Sequence, residues 1–292
     1  MAGGTHPPSS VQGGAEVESQ LNIRHLAPHC GSEILHVDPR TLTDAQVARI
    51  RAEAADRCVI IIRGANLDPE ELVAFAGRFG TVLHVGSDPV LEIHNSYELA
   101  RDNPGFAWMG RIQTTNHWHT DAAHERTPAA FTMLSAREVP GICGDTMWIN
   151  QYLAYETLSG AMRAMLHPLR AEHIMHPYFT SRRNEDNPLG SVHPLVRINA
   201  HTGRRSLYIN NPRFMTTIER MSEYESAPLL DFLYRHSQQY EHSYRHRWQP
   251  GDFVCWDNRS TLHYALLDYD QSARRILSRV VTIGEEPIGV DC

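Results

Sequence analysis

The chain has 292 residues and a mass of 33.1 kDa, and 41% of its residues are hydrophobic, enough to build one large buried core. A formal charge of −7 and a pI near 6.2 exclude the basic stripe that a phosphate-backbone binder needs, so no nucleic-acid partner is expected. The longest apolar run, Cys58 to Ile62, falls far short of a membrane span, and the N-terminus lacks the basic and apolar regions of a signal peptide. Five widely spaced cysteines with no C-x-x-C pair fit a reducing compartment, and a cytoplasmic protein without membrane contact is expected.

Residues 1–20 mix Gly, Pro, Ser and acidic residues with almost nothing to bury and predict a disordered leader, followed by one continuous domain over 21–292. Thr43 with Gln46 three residues on is a capping-box signature, and Val47, Ile50 and Ala54 recur at helical spacing up to a stop near Cys58. Val59-Ile60-Ile61-Ile62, closed by Arg63-Gly64, reads as a fully buried strand, and Asp68-Pro69 opens a second helix through Leu72, Phe75 and Phe79. Strands are expected at Phe131 to Ser135, Leu207 to Asn210, and Phe253 to Trp256. A third helix is expected over roughly 151–166, and a fourth from Ser222, which has Glu225 in capping-box register. Tyr240, His242, Tyr244, His246 and Trp248 alternate as a structural strand would. Many short strands with few helices point to a mainly β fold with flanking helices, a sandwich or jelly roll.

The segment Trp118-His119-Thr120-Asp121 contains an H-x-D, and on an extended strand residues two apart share a face, so His119 and Asp121 can address one metal ion. Alone this is weak: with 18 His and 34 acidic residues, roughly two such triplets arise by composition, and His36-Val37-Asp38 is the other. A catalytic Fe(II) site takes two His and one carboxylate, and His263, directly after a strand signal, is the candidate third ligand. Arg274 and Arg275 follow about a dozen residues later. A guanidinium fork there is the matching partner for a buried carboxylate of a metal-chelating 2-oxo acid.

These blocks also resemble a known family. Trp118-His119-Thr120-Asp121, then Gly144-Asp145-Thr146-Met147-Trp148, then Trp256-Asp257-Asn258-Arg259 with His263-Tyr264-Ala265, then Arg274-Arg275 and Arg279 resemble the TauD/TfdA family of Fe(II)- and 2-oxoglutarate-dependent dioxygenases, over about residues 30–287. The resemblance implies a double-stranded β-helix, the cupin-like jelly roll, with His119, Asp121 and His263 as iron ligands. It further implies Thr146 and Arg275 as contacts to 2-oxoglutarate, Arg279 placing Arg275 rather than Arg274 in register. The expected chemistry is hydroxylation of an aliphatic carbon with O2, yielding a stable alcohol or a product that collapses by cleavage. Family members are often homo-oligomers.

The resemblance also bears on the substrate. Arg279 matches the position that grips the anionic group in taurine-type members and suits a sulfonate, phosphonate, phosphate or carboxylate. Around it the chain departs from the taurine pattern: Asp88-Pro89-Val90-Leu91 replaces His-Pro-Val-Tyr, and Thr115 replaces an Asn. Taurine is therefore not the expected substrate, and Asp88 points to a cationic or hydroxyl-bearing far end. Met175 and Phe214 fall near apolar pocket-lining positions of the relatives; His117 shares the strand face of His119 as a candidate support for the ligands, and for His173 and His176 a satisfied polar contact is expected over a place in the site. Two rival readings remain at this stage: a non-catalytic binding module on the same fold, and a cupin-like Zn or Mn hydrolase or isomerase.

Overall fold

The computed structural model describes residues 20–84, 88–94, 117–175, 190–270 and 272–290; most of the expected leader, and also Thr115 and His176, lie outside the described residues. The strands β1 (Asn22–His25) and β2 (Ser32–Leu35) open the domain as an antiparallel pair. Helix α1 (Asp44–Arg57) begins with the expected capping box: the Gln46 N–H donates to Thr43 Oγ1 and the Thr43 N–H to Gln46 Oε1. It ends at Cys58, whose φ of 72° turns the chain straight into β3 (Val59–Ile62). Helix α2 (Pro69–Gly77) repeats the device with Asp68 and Glu71, Pro69 occupying the first turn where its missing N–H costs nothing.

Next come β4 (Leu91–His94), β5 (Ala129–Glu138) and β6 (Thr146–Asn150). The single helix expected over 151–166 is two: α3 (Gln151–Glu156), capped by Asn150, and α4 (Gly160–Leu166), capped by Ser159. Ser159 has extended backbone and its hydroxyl accepts from the Met162 N–H, so a local side-chain bond wins over helix continuation. After β7 (Arg170–Ile174), β8 (Gly190–Pro194) and β9 (Val196–Ile198), the strand expected at Leu207 to Asn210 proves to be β10 (Arg205–Leu207). Asn210 instead accepts from the Asn211 N–H through its own side chain and donates to the Thr120 carbonyl.

β11 (Met215–Ile218) precedes α5 (Glu223–Ser237), where Glu225 accepts from the Ser222 N–H as expected. The alternating run from Tyr240 to Trp248 is a strand only at β12 (Ser243–His246); Tyr240–His242 is a 3-10 turn that leaves Tyr240 88% exposed. β13 (Phe253–Asp257), β14 (Thr261–Ala265), β15 (Ile276–Ile283) and β16 (Ile288–Gly289) complete the chain.

The major sheet runs β1-β2-β3-β13-β5-β15-β4, with only β2 and β3 parallel. Three smaller sheets, β12-β6-β14, β11-β7-β8 and β10-β9-β16, complete a mainly β jelly roll with flanking helices. Helices α1 and α2 bury Ile50, Leu72 and Phe75 on one side of the major sheet against Phe131 and Phe253. On the other side Leu134, Val254, Trp256 and Leu277 meet Trp148 of β6. Phe75 and Phe253 pack edge-on at 5.3 Å, and truncating either to Ala is expected to cost about 3–5 kcal/mol. The site therefore hangs between two sheets that are each anchored by their own core.

Candidate metal centre

His119 and His263 are tied backbone to backbone. The His119 N–H donates to the His263 carbonyl at 3.1 Å and the reverse bond is 2.8 Å, an isolated bridge that adds residue 119 beside β14. Their rings lie 4.1 Å apart, and Asp121, two residues on, joins them. One ligand-capable atom from each of His119, Asp121 and His263 lies within 4.8 Å of the others, the one such group of three among the described residues. The composition-driven triplet does not join it: His36 has φ 59° and Asp38 pairs with Arg40.

The protonation states suit a metal. The His119 Nδ1–H donates to the His117 carbonyl at 2.8 Å, which fixes the tautomer and leaves the Nε2 lone pair facing the cluster. Burial pushes both imidazoles down in pKa, His263 furthest because His119 stands beside it, so both are neutral. Burial alone would raise the Asp121 carboxyl. The Arg279 guanidinium first, helped by the Thr132 hydroxyl, outweighs it and holds the group well below the usual carboxylate range. Two neutral imidazoles and one carboxylate form a donor set with the hardness and count for Fe(II).

Several residues of the site have no signal in a spacing argument. Thr132 on β5 donates to Asp121 Oδ2 at 2.7 Å, and Asn258 Nδ2 donates to Thr132 at 2.9 Å. The Trp256 indole donates to Asn258 Oδ1 at 3.1 Å while its ring lies 4.8 Å from that of His263. They reach the ligands from the facing sheet, a contact that sequence separation hides.

At the other end of the site, Arg275 is 3% exposed, with Nε donating to the Gly144 carbonyl at 3.0 Å and Nη2 to Thr146 Oγ1 at 3.4 Å. Gly144 holds φ 71°, a left-handed backbone that favours glycine, and an added Cβ there would crowd Tyr269 at 3.1 Å. Arg274 instead faces solvent and pairs with Glu138 at 3.2 Å. Among the described residues no carboxylate forms an ion pair with Arg275; the nearby Asp145 is engaged by Arg245. Burial pushes its pKa down without removing the charge. An uncompensated buried guanidinium beside a hydroxyl is the arrangement a carboxylate ligand would neutralise, so the residues fit 2-oxoglutarate as well as a metal.

The family described as taurine catabolism dioxygenase TauD, TfdA matches residues 22–281. The chain belongs to the TauD/TfdA family. It is 32% identical over 260 residues to pentalenolactone F synthase of Streptomyces arenae, covering 79% of this chain and 84% of that one. It is 30% identical over 288 residues to an α-ketoglutarate-dependent sulfate ester dioxygenase of Pseudomonas putida, covering 93% and 92%. A crystal structure of a taurine dioxygenase from Burkholderia xenovorans superposes with a TM-score of 0.77 at 34% identity, covering 92% and 93%. As a TauD/TfdA member the chain is an oxidoreductase, a dioxygenase dependent on Fe(II) and 2-oxoglutarate.

The remaining candidates separate. Arg279, opposite Leu91 in the β15–β4 ladder, places Nη2 2.9 Å from Asp121 Oδ2, directly at the cluster. The Phe214 ring lies 5.1 Å from that of His117, which lies 5.1 Å from His119, so Phe214 stands two rings away from the ligands. Met175 is half-buried at the end of β7. Asp88 is exposed and accepts from the Val90 N–H in a local turn. His173 packs in a cluster with His193 and Tyr208 and is not among the grouped ligands.

Proposed function

We propose that this dioxygenase hydroxylates an aliphatic carbon of a small organic anion, a sulfonate, sulfate ester, phosphonate, phosphate or carboxylate other than taurine. The observation that carries the reading is Arg279: one of its Nη atoms meets Asp121 at 2.9 Å while the side chain stays 20% exposed, leaving further N–H donors for an anionic substrate. The relative named for sulfate esters is compatible with that charge. His119, Asp121 and His263 would hold the metal, and Thr146 and Arg275 the far carboxylate of 2-oxoglutarate.

When bound, the iron and its co-substrate supply the oxidising power that breaks a substrate C–H bond, with 2-oxoglutarate ending as succinate and CO2. The chain's own residues bind and orient. Trp248 Nε1–H donates to Thr146 Oγ1 at 3.0 Å and Arg275 donates to the same oxygen, so both lone pairs of the hydroxyl are used and its proton must point elsewhere, toward an acceptor. Phe214 and Met175 would give the substrate an apolar wall. Thr115 and Asp88 would meet its far end. If hydroxylation falls next to a heteroatom, the adduct breaks that bond, and the net reaction is a cleavage.

Two measurements test this. Anaerobic Fe(II) with 2-oxoglutarate should give a visible charge-transfer band that is lost in His119→Ala and weakened in Arg275→Ala; no band in the wild type would return the assignment to a binding module or hydrolase. Succinate release across sulfonates, sulfate esters, phosphonates, aryloxy acids and amino acids should be confined to anions. Neutral analogues turned over as fast as acids, or an Arg279→Ala enzyme with unchanged kcat/KM on an acid, would sink the anion reading.

A further inference from the structure

The two oxygens of Asp121 have very different surroundings. Oδ2 accepts from the Thr132 hydroxyl at 2.7 Å and forms an ion pair with Arg279 Nη2 at 2.9 Å. Among the described residues no hydrogen bond to Oδ1 is formed; His119 Nε2 stands 3.9 Å from it, the distance of a neighbour rather than a bonded partner. His263 Nε2 is 3.8 Å from Oδ2, so the two oxygens lie about equally near the imidazoles, and position alone does not choose between them.

The choice follows from the polarity of the hydrogen bonds behind Thr132. Asn258 Oδ1 receives two groups that can only donate, the Trp256 indole N–H at 3.1 Å and the Asp121 backbone N–H at 3.3 Å. The amide orientation is thereby fixed, and its Nδ2 must face Thr132, to which it donates at 2.9 Å. Thr132 Oγ1 therefore accepts from Asn258, and its own proton goes to Asp121 Oδ2. Every donor in the series indole, amide, hydroxyl points toward the carboxylate. Thr132 is fully buried and Asn258 and Trp256 are 2% exposed, so no water competes for these bonds.

We propose that Thr132 is a positioning residue for the metal: its hydrogen bond, beside the Arg279 ion pair, holds Oδ2 of Asp121, so that Oδ1 is the oxygen left to bind the ion and a two-oxygen grip is disfavoured. A one-oxygen grip leaves a coordination position free that a two-oxygen grip would fill. This rests on the ligand set His119, Asp121 and His263 proposed above. Thr132 touches neither metal nor substrate; it acts through Asp121.

Co(II), a divalent probe with visible bands sensitive to coordination number, tests the inference without turnover. Wild type, Thr132→Val, Thr132→Ser and His119→Ala are titrated with Co(II) and their spectra recorded, with melting curves to show that each is folded. Thr132→Val should bind Co(II) tenfold to hundredfold more weakly, the range seen when a partner of a metal ligand is lost. Its bands should weaken as coordination number rises. Thr132→Ser, which keeps the hydroxyl, should return affinity and spectrum to wild type. Binding within twofold of wild type by Thr132→Val, with an unchanged spectrum, overturns the proposal. If that variant does not fold, Thr132→Ala is read in the same way. His119→Ala separates the two levels: undiminished Co(II) binding by that variant overturns the ligand set itself, whereas lost binding there with a wild-type Thr132→Val overturns only the role of Thr132.

Discussion

The two ends of the site treat charge in opposite ways. At one end the Asp121 carboxylate is surrounded by Arg279, Thr132 and two imidazoles, and is ionised even without a metal. At the other, the Arg275 guanidinium is buried against the Gly144 carbonyl and the Thr146 hydroxyl, with no carboxylate ion-paired to it among the described residues and the nearby Asp145 taken by Arg245. A compensated charge is stable before its ligand arrives. An uncompensated one is a standing cost to the fold, and its persistence marks the place where an anion binds.

The sharpest way to break this contrast is to remove each charge and measure the stability of the metal-free protein. Asp121→Ala and Arg275→Met should both lose turnover by at least about a hundredfold, a loss of ~3 kcal/mol or more of binding or transition-state interactions. Their melting temperatures should move in opposite directions. Asp121→Ala strands Arg279 and lowers the melting point, while Arg275→Met replaces a buried unpaired cation with an apolar chain of similar length and raises it. Movement of both in the same direction would remove the distinction. Arg274→Ala, which breaks only an exposed pair with Glu138, serves as the control and should change neither quantity measurably.

A smaller effect sharpens the anion end. If Trp248 forces the Thr146 proton toward the co-substrate, Trp248→Phe should raise the KM for 2-oxoglutarate about fivefold, the worth of one net hydrogen bond of ~1 kcal/mol. The KM for the primary substrate should stay put. A change confined to kcat, or equal changes in both KM values, would mean that the indole serves packing alone.

How much of this was legible beforehand depended on range. Capping boxes at Thr43 and Ser222 and the helix start at Asp68-Pro69 are local chemistry, complete within four residues, and the structure has all three, adding at Asp68 a box with Glu71. The break at Ser159 was missed because a capping serine inside an apolar-periodic stretch looks like a tolerated helical residue until its hydroxyl takes the Met162 N–H. The blocks containing His119, Asp121, His263, Thr146 and Arg275 stood out through family order, not spacing, since His36-Val37-Asp38 has the same local pattern and forms a turn. Thr132 and Trp248 carried no signal as parts of the site, and Asn258 entered only as a member of the Trp256-Asp257-Asn258-Arg259 block, without a role. Thr132 and Asn258 reach the Asp121 segment from 11 and 137 residues away, and Trp248 reaches Thr146 from 102 residues away at the end of the β12–β6 ladder.

His173 extends the contrast between paired and unpaired buried groups to one that can discard its charge. It is fully buried, its ring 5.5 Å from His193 and 5.3 Å from Tyr208, and neither ring nitrogen has a hydrogen-bond partner among the described residues. Arg275 cannot shed its proton, but an imidazole can, and burial, helped by His193 and His124, lowers the His173 pKa to about 3. The folded state therefore binds its proton only near pH 3, while the unfolded chain binds it near the ordinary value of about 6.5. Above pH 6.5 both states are neutral and this contribution to stability is fully present. As pH falls below 6.5 the unfolded state gains a proton that the folded state refuses, and stability drains away down to about pH 3. Between pH 6.5 and 5.5 the loss is about 1 kcal/mol, or roughly 2 °C for a chain of this size. His193, held by its bond to the Glu125 carbonyl and pushed down to about 4, adds to the same slope. His173→Phe, which keeps a ring against Tyr208, should flatten the melting temperature between pH 6.5 and 5.5 relative to wild type while leaving it unchanged in direction above pH 7. An identical slope in both proteins would show that His173 keeps a charged form in the fold, and that its burial is compensated after all.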